Sequence, residues 1–341
     1  MKTTTQTART SFAIAALLAL AACGGGGGGG STGAAAPASG ASAPSTTSTA
    51  TSANVSTPQY AAGSAQLAIF NQVNAYRQQC GFPALTENTQ LDTATQNHAS
   101  YNAQSNTSGD SETSGVPGYT GATYQARAIA AGYPSNVSVG GVSDGYYTNA
   151  TLTGAQYGQN LLNGWVSGVY HVGIVIGPTT VVGIGEAQTT YQGFPNLFAA
   201  MTVANLQTSL SNGPVTFPCQ GVTGVPYKAM AETPTPPNAS SSGWGQPVEA
   251  AVAAGGTVAF TSGTMTDTSG NVINLQLLSA ANDPNKELQP YQAVAYPANP
   301  LTPNTTYTVS VTGTYTDPNV SNGASQSFSR SFTFTTGNTI G

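Results

Sequence analysis

His98 and His171 are the only two imidazoles in 341 residues, and they limit what chemistry the chain can do. Neutral imidazole beside carboxylate is the ligand chemistry that suits Zn²⁺ and leaves a coordination position open for a water or substrate. Nucleophilic catalysis has less to stand on, because no serine sits in a nucleophile elbow that a Ser-His-Asp triad could use. His98 shares a face with Leu91, Ala94 and Tyr101, which reads as a structural histidine. Gly183-Ile184-Gly185-Glu186 is too short for a phosphate loop; a glycine-rich strand turn explains it better, with Glu186 at an exposed strand end. Three cysteines, Cys23, Cys80 and Cys219, complete the reactive inventory.

The elements that would position these groups follow from periodicity. Leu67, Phe70, Val73 and Arg77 recur at helical spacing and stop at Gly81-Phe82-Pro83; a second helix carries Leu91, Ala94, His98 and Tyr101. Asn160 to Trp165 leads into Tyr170-His171. The runs Val172–Ile176 and Thr180–Gly185 then have β character, so the segment reads as an α+β layered domain. After Thr233-Pro234-Thr235-Pro236-Pro237 the period becomes two. Val258 and Phe260, then Ile273, Leu275 and Leu277, then Tyr307, Val309, Val311, Gly313 and Tyr315, and finally Phe328, Phe332 and Phe334 describe an antiparallel sandwich. Arg330 falls in the last phase, near an edge. Asp267, Asp283 and Asp317 are scattered over separate turns and fit turn chemistry better than Ca²⁺ binding.

Composition excludes one partner class and points to a compartment. Only 6% of residues are charged and the formal net charge is −5. With no basic cluster, the counterion release that drives nucleic-acid binding is absent. Lys2 and Arg9 precede the apolar run Phe12–Leu20, which is too short to span ~30 Å of hydrocarbon and reads as a signal-peptide core over residues 1–22. Loss of those two cations takes the charge from −5 to −7. Leu20-Ala21-Ala22-Cys23 resembles the lipobox of bacterial lipoproteins, which implies lipid attachment at Cys23 and a membrane anchor. Gly24, where an Asp would retain the protein at the inner membrane, resembles lipoproteins passed to the outer membrane. Residues 23–58, Gly/Ser/Thr/Ala/Pro-rich, form a disordered tether with a reach of roughly 30 Å.

Four motifs in order carry a family resemblance. Asn74-Ala75-Tyr76-Arg77-Gln78-Gln79-Cys80-Gly81 and Leu91-Asp92-Thr93-Ala94-Thr95-Gln96-Asn97-His98 are similar to the opening helices of the CAP superfamily. Gly115–Gly121 with Ala131-Gly132-Tyr133 is similar to the linker of its bacterial branch. Trp165 with His171, followed by Gly183-Ile184-Gly185, resembles its third signature. The resemblance implies an α–β–α sandwich over residues 59–212 around a cleft that, in many members, two His and two Glu equip for a divalent metal. Position by position, only His171 is kept. The first His falls on Asp110 of Asp110-Ser111-Glu112, the first Glu on Gly141 and the second near Gly168, while the Arg that follows the second His is Val172. The favoured expectation is therefore a degenerate cleft without metal or cofactor, His171 packing near Trp165 and Tyr170 as a satisfied interior histidine. Tyr119, Tyr133, Trp165, His171, Asp110 and Glu112 are the candidate ligand-binding residues.

Export leaves Cys80 and Cys219 where disulfides persist. Their pairing is the favoured expectation, against two inert buried thiols, and would contribute ~3–5 kcal/mol. Pro300–Val309 with Phe332–Thr336 looks like a bacterial Ig-like domain over residues 238–341, joined through a junction at 213–237. Together these expectations describe a non-enzymatic anchored CAP protein that binds an apolar, lipid-like or cell-wall-derived ligand. One alternative is a metal-assisted hydrolase using His171 with Asp110 and Glu112; the other is a structural envelope protein.

Overall fold

The computed structural model describes residues 53–210 and 213–341. The signal-peptide segment, Cys23 and most of the tether lie outside the described residues. Residues 53–58, read from composition as tether, are held against the domain: Val55 N–H donates to Glu87 O at 3.0 Å, and Asn88 Nδ2 donates to Asn54 Oδ1 at 2.7 Å. A polar side-chain pair anchors them, which composition does not reveal.

The first unit is a three-layer α–β–α sandwich. Helix α1 (Ala65–Cys80) starts at Ser64, whose hydroxyl accepts from Leu67 N–H at 3.1 Å, and ends at Gly81 with φ 84°. Helix α2 (Thr89–Ser105) is capped by Asn88 and ends at Asn106; α3 (Tyr124–Ala130) follows Thr123; α4 (Gly154–Ser167) opens on a Thr153/Gln156 capping box. The sheet comprises β1 (Thr86–Glu87), β2 (Val139–Tyr147), β3 (Thr179–Tyr191) and β4 (Phe194–Leu206) in the order β1-β3-β4-β2, with β1 parallel to β3 and the other pairs antiparallel.

Strand alternation assigns the two faces. Val182 and Ile184 point into the core with Ile69, Leu161, Leu162 and Trp165, whereas Val181 packs with Leu91, Tyr124, Ala128 and Tyr133 beneath α2 and α3. Gly183 and Gly185 do not form a turn. They lie mid-strand, where an added Cβ would come within 2.2 Å of Leu91 C and 2.4 Å of Gln96 N; the backbone of α2 rests directly on the sheet there. Glu186 is likewise within β3 and half-buried, accepting from Gln66 N–H at 3.1 Å.

Val172–Ile176 is a short helix, α5, and not a strand. The apolar run carries no period, and its ends decide its state. Three N–H groups before it are taken by one carboxylate, while Arg77 donates to Val175 O, Gly177 O and Thr179 O at 3.1, 2.9 and 2.5 Å behind it.

The second unit is a β-sandwich built from β5 (Val215–Phe217), β6 (Val222–Val225), β7 (Val248–Ala251), β8 (Thr257–Asp267), β9 (Val272–Ser279), β10 (Gln292–Pro297), β11 (Thr306–Thr316) and β12 (Gln326–Thr336). Their order is β5-β7-β10-β9-β8-β11-β12-β6. Strand β9 turns the corner between the two layers, pairing through Val272–Asn274 with β8 and through Leu275–Ser279 with β10. The residues read as junction, 213–237, contain β5 and β6, so the sandwich begins ahead of the proline-rich stretch. Both strands are short outer strands with few alternating positions, which hides them from periodicity. Asp267 accepts from Ser269 and Asn271 N–H, and Asp317 from Asn319 N–H, as turn carboxylates do.

Cys80 and Cys219 are disulfide-bonded across 139 residues, with Cα atoms 5.4 Å apart. The bridge ties the end of α1 to the loop between β5 and β6. The two units share one apolar core: Trp165, Val169 and Tyr170 pack in the same cluster as Phe217, Trp244, Val248, Leu288 and Tyr296.

Candidate functional site

The turn from Ser167 to His171 carries the retained histidine, and the second unit covers it. Trp244 Nε1 donates to Ser167 O at 2.9 Å, and Gln246 Nε2 to Val166 O at 2.8 Å. Tyr170 donates its hydroxyl proton to Asp283 Oδ1 at 2.9 Å and accepts from Asn285 Nδ2 at 2.9 Å. Into the turn itself reaches Glu232. Its carboxylate accepts from the N–H groups of Val169, Tyr170 and His171 at 2.8, 2.9 and 3.1 Å, and Oε1 lies 2.8 Å from His171 Nδ1. Burial disfavours a charge on His171, but the Glu232 carboxylate, with Asp110 and Asp144, outweighs it and raises the imidazole to about 9. His171 is thus a satisfied interior histidine, as expected, yet its main partner comes from the other unit and not from Trp165.

The replaced positions of the cleft are filled coherently. A Cβ at Gly168 would lie 2.6 Å from Glu232 Oε1 and 2.8 Å from His171 Nδ1; a Cβ at Gly141 would lie 2.4 Å from Tyr124 Cε1. Where the resemblance places glutamates, this chain has glycines whose space is taken by the Glu232 carboxylate and the Tyr124 ring. Asp110 Oδ1 accepts from Tyr124 hydroxyl at 2.6 Å and Ser143 hydroxyl at 3.1 Å, while its Oδ2 is buried without a hydrogen-bond partner. Burial raises the Asp110 pKa, with His171 and Tyr124 opposing the rise.

Glu112 belongs to a different constellation. It lies 3.0 Å from His98 Nδ1 and 3.8 Å from Arg127 Nε, and accepts from Thr120 and Gly121 N–H at 2.6 and 3.1 Å. Burial works against its charge, but these partners hold its carboxyl below the ordinary range. His98 Nε2 lies 2.9 Å from Gly109 O, an oxygen that also accepts from Asn102 and Ser143. The loop 106–121 is therefore pinned from beneath by His98. Arg127 adds bonds to Gly121 O and Asp110 O at 3.0 and 2.8 Å.

Asp110 and His171 are electrostatic neighbours, but Glu112 is turned away to His98 and Arg127. Among the described residues no group of three His, Cys, Asp or Glu side chains is arranged to hold a metal ion. With Glu112 held by His98 and Arg127, and glycines at 141 and 168 where the resemblance places glutamates, the residues present do not fit the divalent metal that the resemblance implies for better-equipped clefts. Of the expected lining, Tyr119 is 39% exposed, Tyr133 is buried under α3 with its hydroxyl 3.3 Å from Asn205 Oδ1, and Trp165 is core.

A narrow apolar slot of about 60 Å³, open at its mouth, lies instead at the seam between the units. The sheet contributes Val139, Gly140, Val203 and Leu206; α5 and its exit contribute Gly173, Ile174, Pro178 and Thr179; the sandwich contributes Gln289, Tyr291 and Gln292. None of the six candidate ligand-binding residues, Tyr119, Tyr133, Trp165, His171, Asp110 and Glu112, lines it. Sequence reasoning missed Glu232, Tyr291 and Gln292. Glu232 did leave a signal, being the sole acid between Glu186 and Glu249 in a chain with so few charges.

Residues 70–203 match the model of the cysteine-rich secretory protein family, CAP. The α–β–α layers and the ordered motifs agree with that match, and the chain carries a CAP domain followed by a β-sandwich. Among solved structures, an outer surface protein from Borrelia burgdorferi is similar at 12% identity with a TM-score of 0.31, covering 41% of this chain and 91% of that one. No curated protein matches the sequence.

Proposed function

We propose that this chain is an exported, lipid-anchored CAP protein that binds an apolar ligand and has no catalytic role. The observation that carries the reading is the seam slot, whose walls of Val139, Ile174, Pro178, Val203, Leu206 and Tyr291 suit a single acyl or alkyl chain better than a bulky polar glycan. Supporting export are the disulfide, a bond that persists in oxidising compartments, and the lipobox-like Leu20–Cys23. The reading includes anchoring through Cys23, residence at the outer membrane, and an Ig-like character for the sandwich. Binding is favoured over hydrolysis because Glu112, a member of the required triad, is turned away and engaged by His98 with Arg127.

The test is lipid extraction and mass spectrometry of the full chain purified from the envelope, beside an Ile174→Trp variant that fills the slot. A stoichiometric apolar molecule on the parent protein, lost from the variant, is the expected result. An empty parent protein that also fails to take up added long-chain lipid would leave the structural-envelope reading in its place.

A further inference from the structure

The segment that leads into the CAP domain, residues 53–60, ends where two acids meet. Gln59 N–H donates to Glu87 Oε2 at 2.7 Å, and the next residue, Tyr60, donates its hydroxyl proton to Asp92 Oδ1 at 2.7 Å. Glu87 ends β1, Asp92 sits in the first turn of α2, and their carboxyl groups hydrogen-bond each other. The remaining group on Asp92 is the Ile184 N–H of β3, at 2.9 Å. Two residues along that strand, Glu186 takes the Gln66 N–H of α1. The titratable groups around Asp92 are thus Tyr60, Glu87 and Glu186, and among the described residues neither Glu87 nor Asp92 takes part in an ion pair. Two carboxyl groups at hydrogen-bond distance with no cation beside them repel strongly when both are ionised, so the pair holds one proton. Asp92 is accordingly raised to about 7; burial is the largest cause and Glu87 adds to it, against the Tyr60 and Ile184 donors. The same segment covers the outer edge of β1. Val55 N–H donates to Glu87 O and Thr89 N–H to Ala53 O, both at 3.0 Å, and Asn54 bridges Asn88. Gln59, Tyr60 and Ala61 also wall an open polar pocket of about 380 Å³ that reaches Glu87 and Asp92, which gives water a route to both acids.

We infer that residues 53–60 form a releasable strap at the root of the tether, held closed by the proton that Glu87 and Asp92 share and released when that proton is lost. Each acid holds one of two consecutive strap residues, so the separation of the two charges pulls apart the pair of acceptors that Gln59 and Tyr60 need. Release bares the edge of β1 and, on the reading that the chain is anchored through Cys23, adds eight residues, about 27 Å of extended chain, to the tether. The sign follows from Asp92, raised in the closed state and near its ordinary 3.8 once water replaces the strap. Closure is fully favoured below pH 3.8, weakens by about tenfold per pH unit above it, and levels off at about 7.

The experiment is hydrogen exchange of the full chain at pH 5, 7 and 8, with protection referred to intrinsic rates so that base catalysis cancels. The strap amides of Val55 and Gln59 should lose about a hundredfold in protection from pH 5 to 7 and little more by pH 8, while β4 keeps its own. Asp92→Asn and Glu87→Gln each put a permanent donor and acceptor where the shared proton was, and in both the strap should stay protected at every pH. Strap protection that does not change with pH in the parent overturns the inference. So does a pH response that survives in both variants, or a loss shared equally by β4, which is global unfolding. Should the variants fail to fold, the parent's strap and β4 profiles decide alone. Cys23→Ala should leave the strap profile unchanged, so failure of the anchor reading and failure of the strap are told apart.

Discussion

At the scale of single residues, the cleft is defined by an exchange of carboxylates. Gly168 is small so that Glu232 can reach the Val169, Tyr170 and His171 amides. Gly168→Ala should lower stability by about 1–3 kcal/mol, because the Glu232 carboxylate and the His171 ring and Cβ leave the methyl nowhere to go. Combining it with Glu232→Ala should cost less than the sum of the two single changes, and strict additivity in urea unfolding would show that the residues do not couple. The sign of the pH dependence follows from the same pair. His171 is raised from 6.5 to about 9, so its contribution is fully present below pH 6.5 and is lost as pH rises through 9. Glu249 is raised from 4.5 to about 8, so the folded state binds its proton more tightly and stability falls from pH 4.5 towards 8. Thermal melts of His171→Asn should lose the upper window alone, and those of Glu249→Gln the lower one alone.

At the scale of elements, α5 shows how termini can override an ambiguous interior. Five apolar residues without a period become helical because Glu232 satisfies the amides before them and Arg77 the carbonyls after them. Arg77→Met keeps the volume and removes the donors. It should destabilise the fold by roughly 3 kcal/mol, since several buried carbonyls lose partners at once. Hydrogen exchange at Val175–Thr179 should accelerate more than at the centre of α1; uniform acceleration would mean that the guanidinium merely packs. The loop 106–121 is the polar counterpart of α5. His98, Asn102 and Arg127 fix its backbone from within the domain.

At the scale of the whole molecule, the two units behave as one. Their apolar residues form a continuous cluster, and the Cys80–Cys219 bridge crosses between them. Scanning calorimetry should therefore give a single cooperative transition, not two, despite two differing architectures. Replacing both cysteines by alanine should lower stability by about 5 kcal/mol, the loop-entropy value for a closure of 139 residues. A cost near zero would mean that the unfolded chain is already held compact by other contacts.

Short-range pattern determined much of this protein. Helical spacing placed α1 and α2, period two placed β8, β9, β11 and β12, ordered motifs identified the CAP domain, and two leftover cysteines anticipated their own pairing. These features depend on neighbours within a few turns of chain, or on residue types that stand out in isolation. Tertiary structure alone decided the site. Glu232 lies 61 residues from His171, and the slot joins β2, α5, β4 and the loop before β10. No periodicity encodes such a meeting, because it follows from how two separately patterned units pack across a shared core. The same packing explains why a glycine-rich stretch read as a turn is a mid-strand seat for α2, and why an apolar run read as a strand is a helix. In both places the deciding partner is a backbone or side chain far away in sequence.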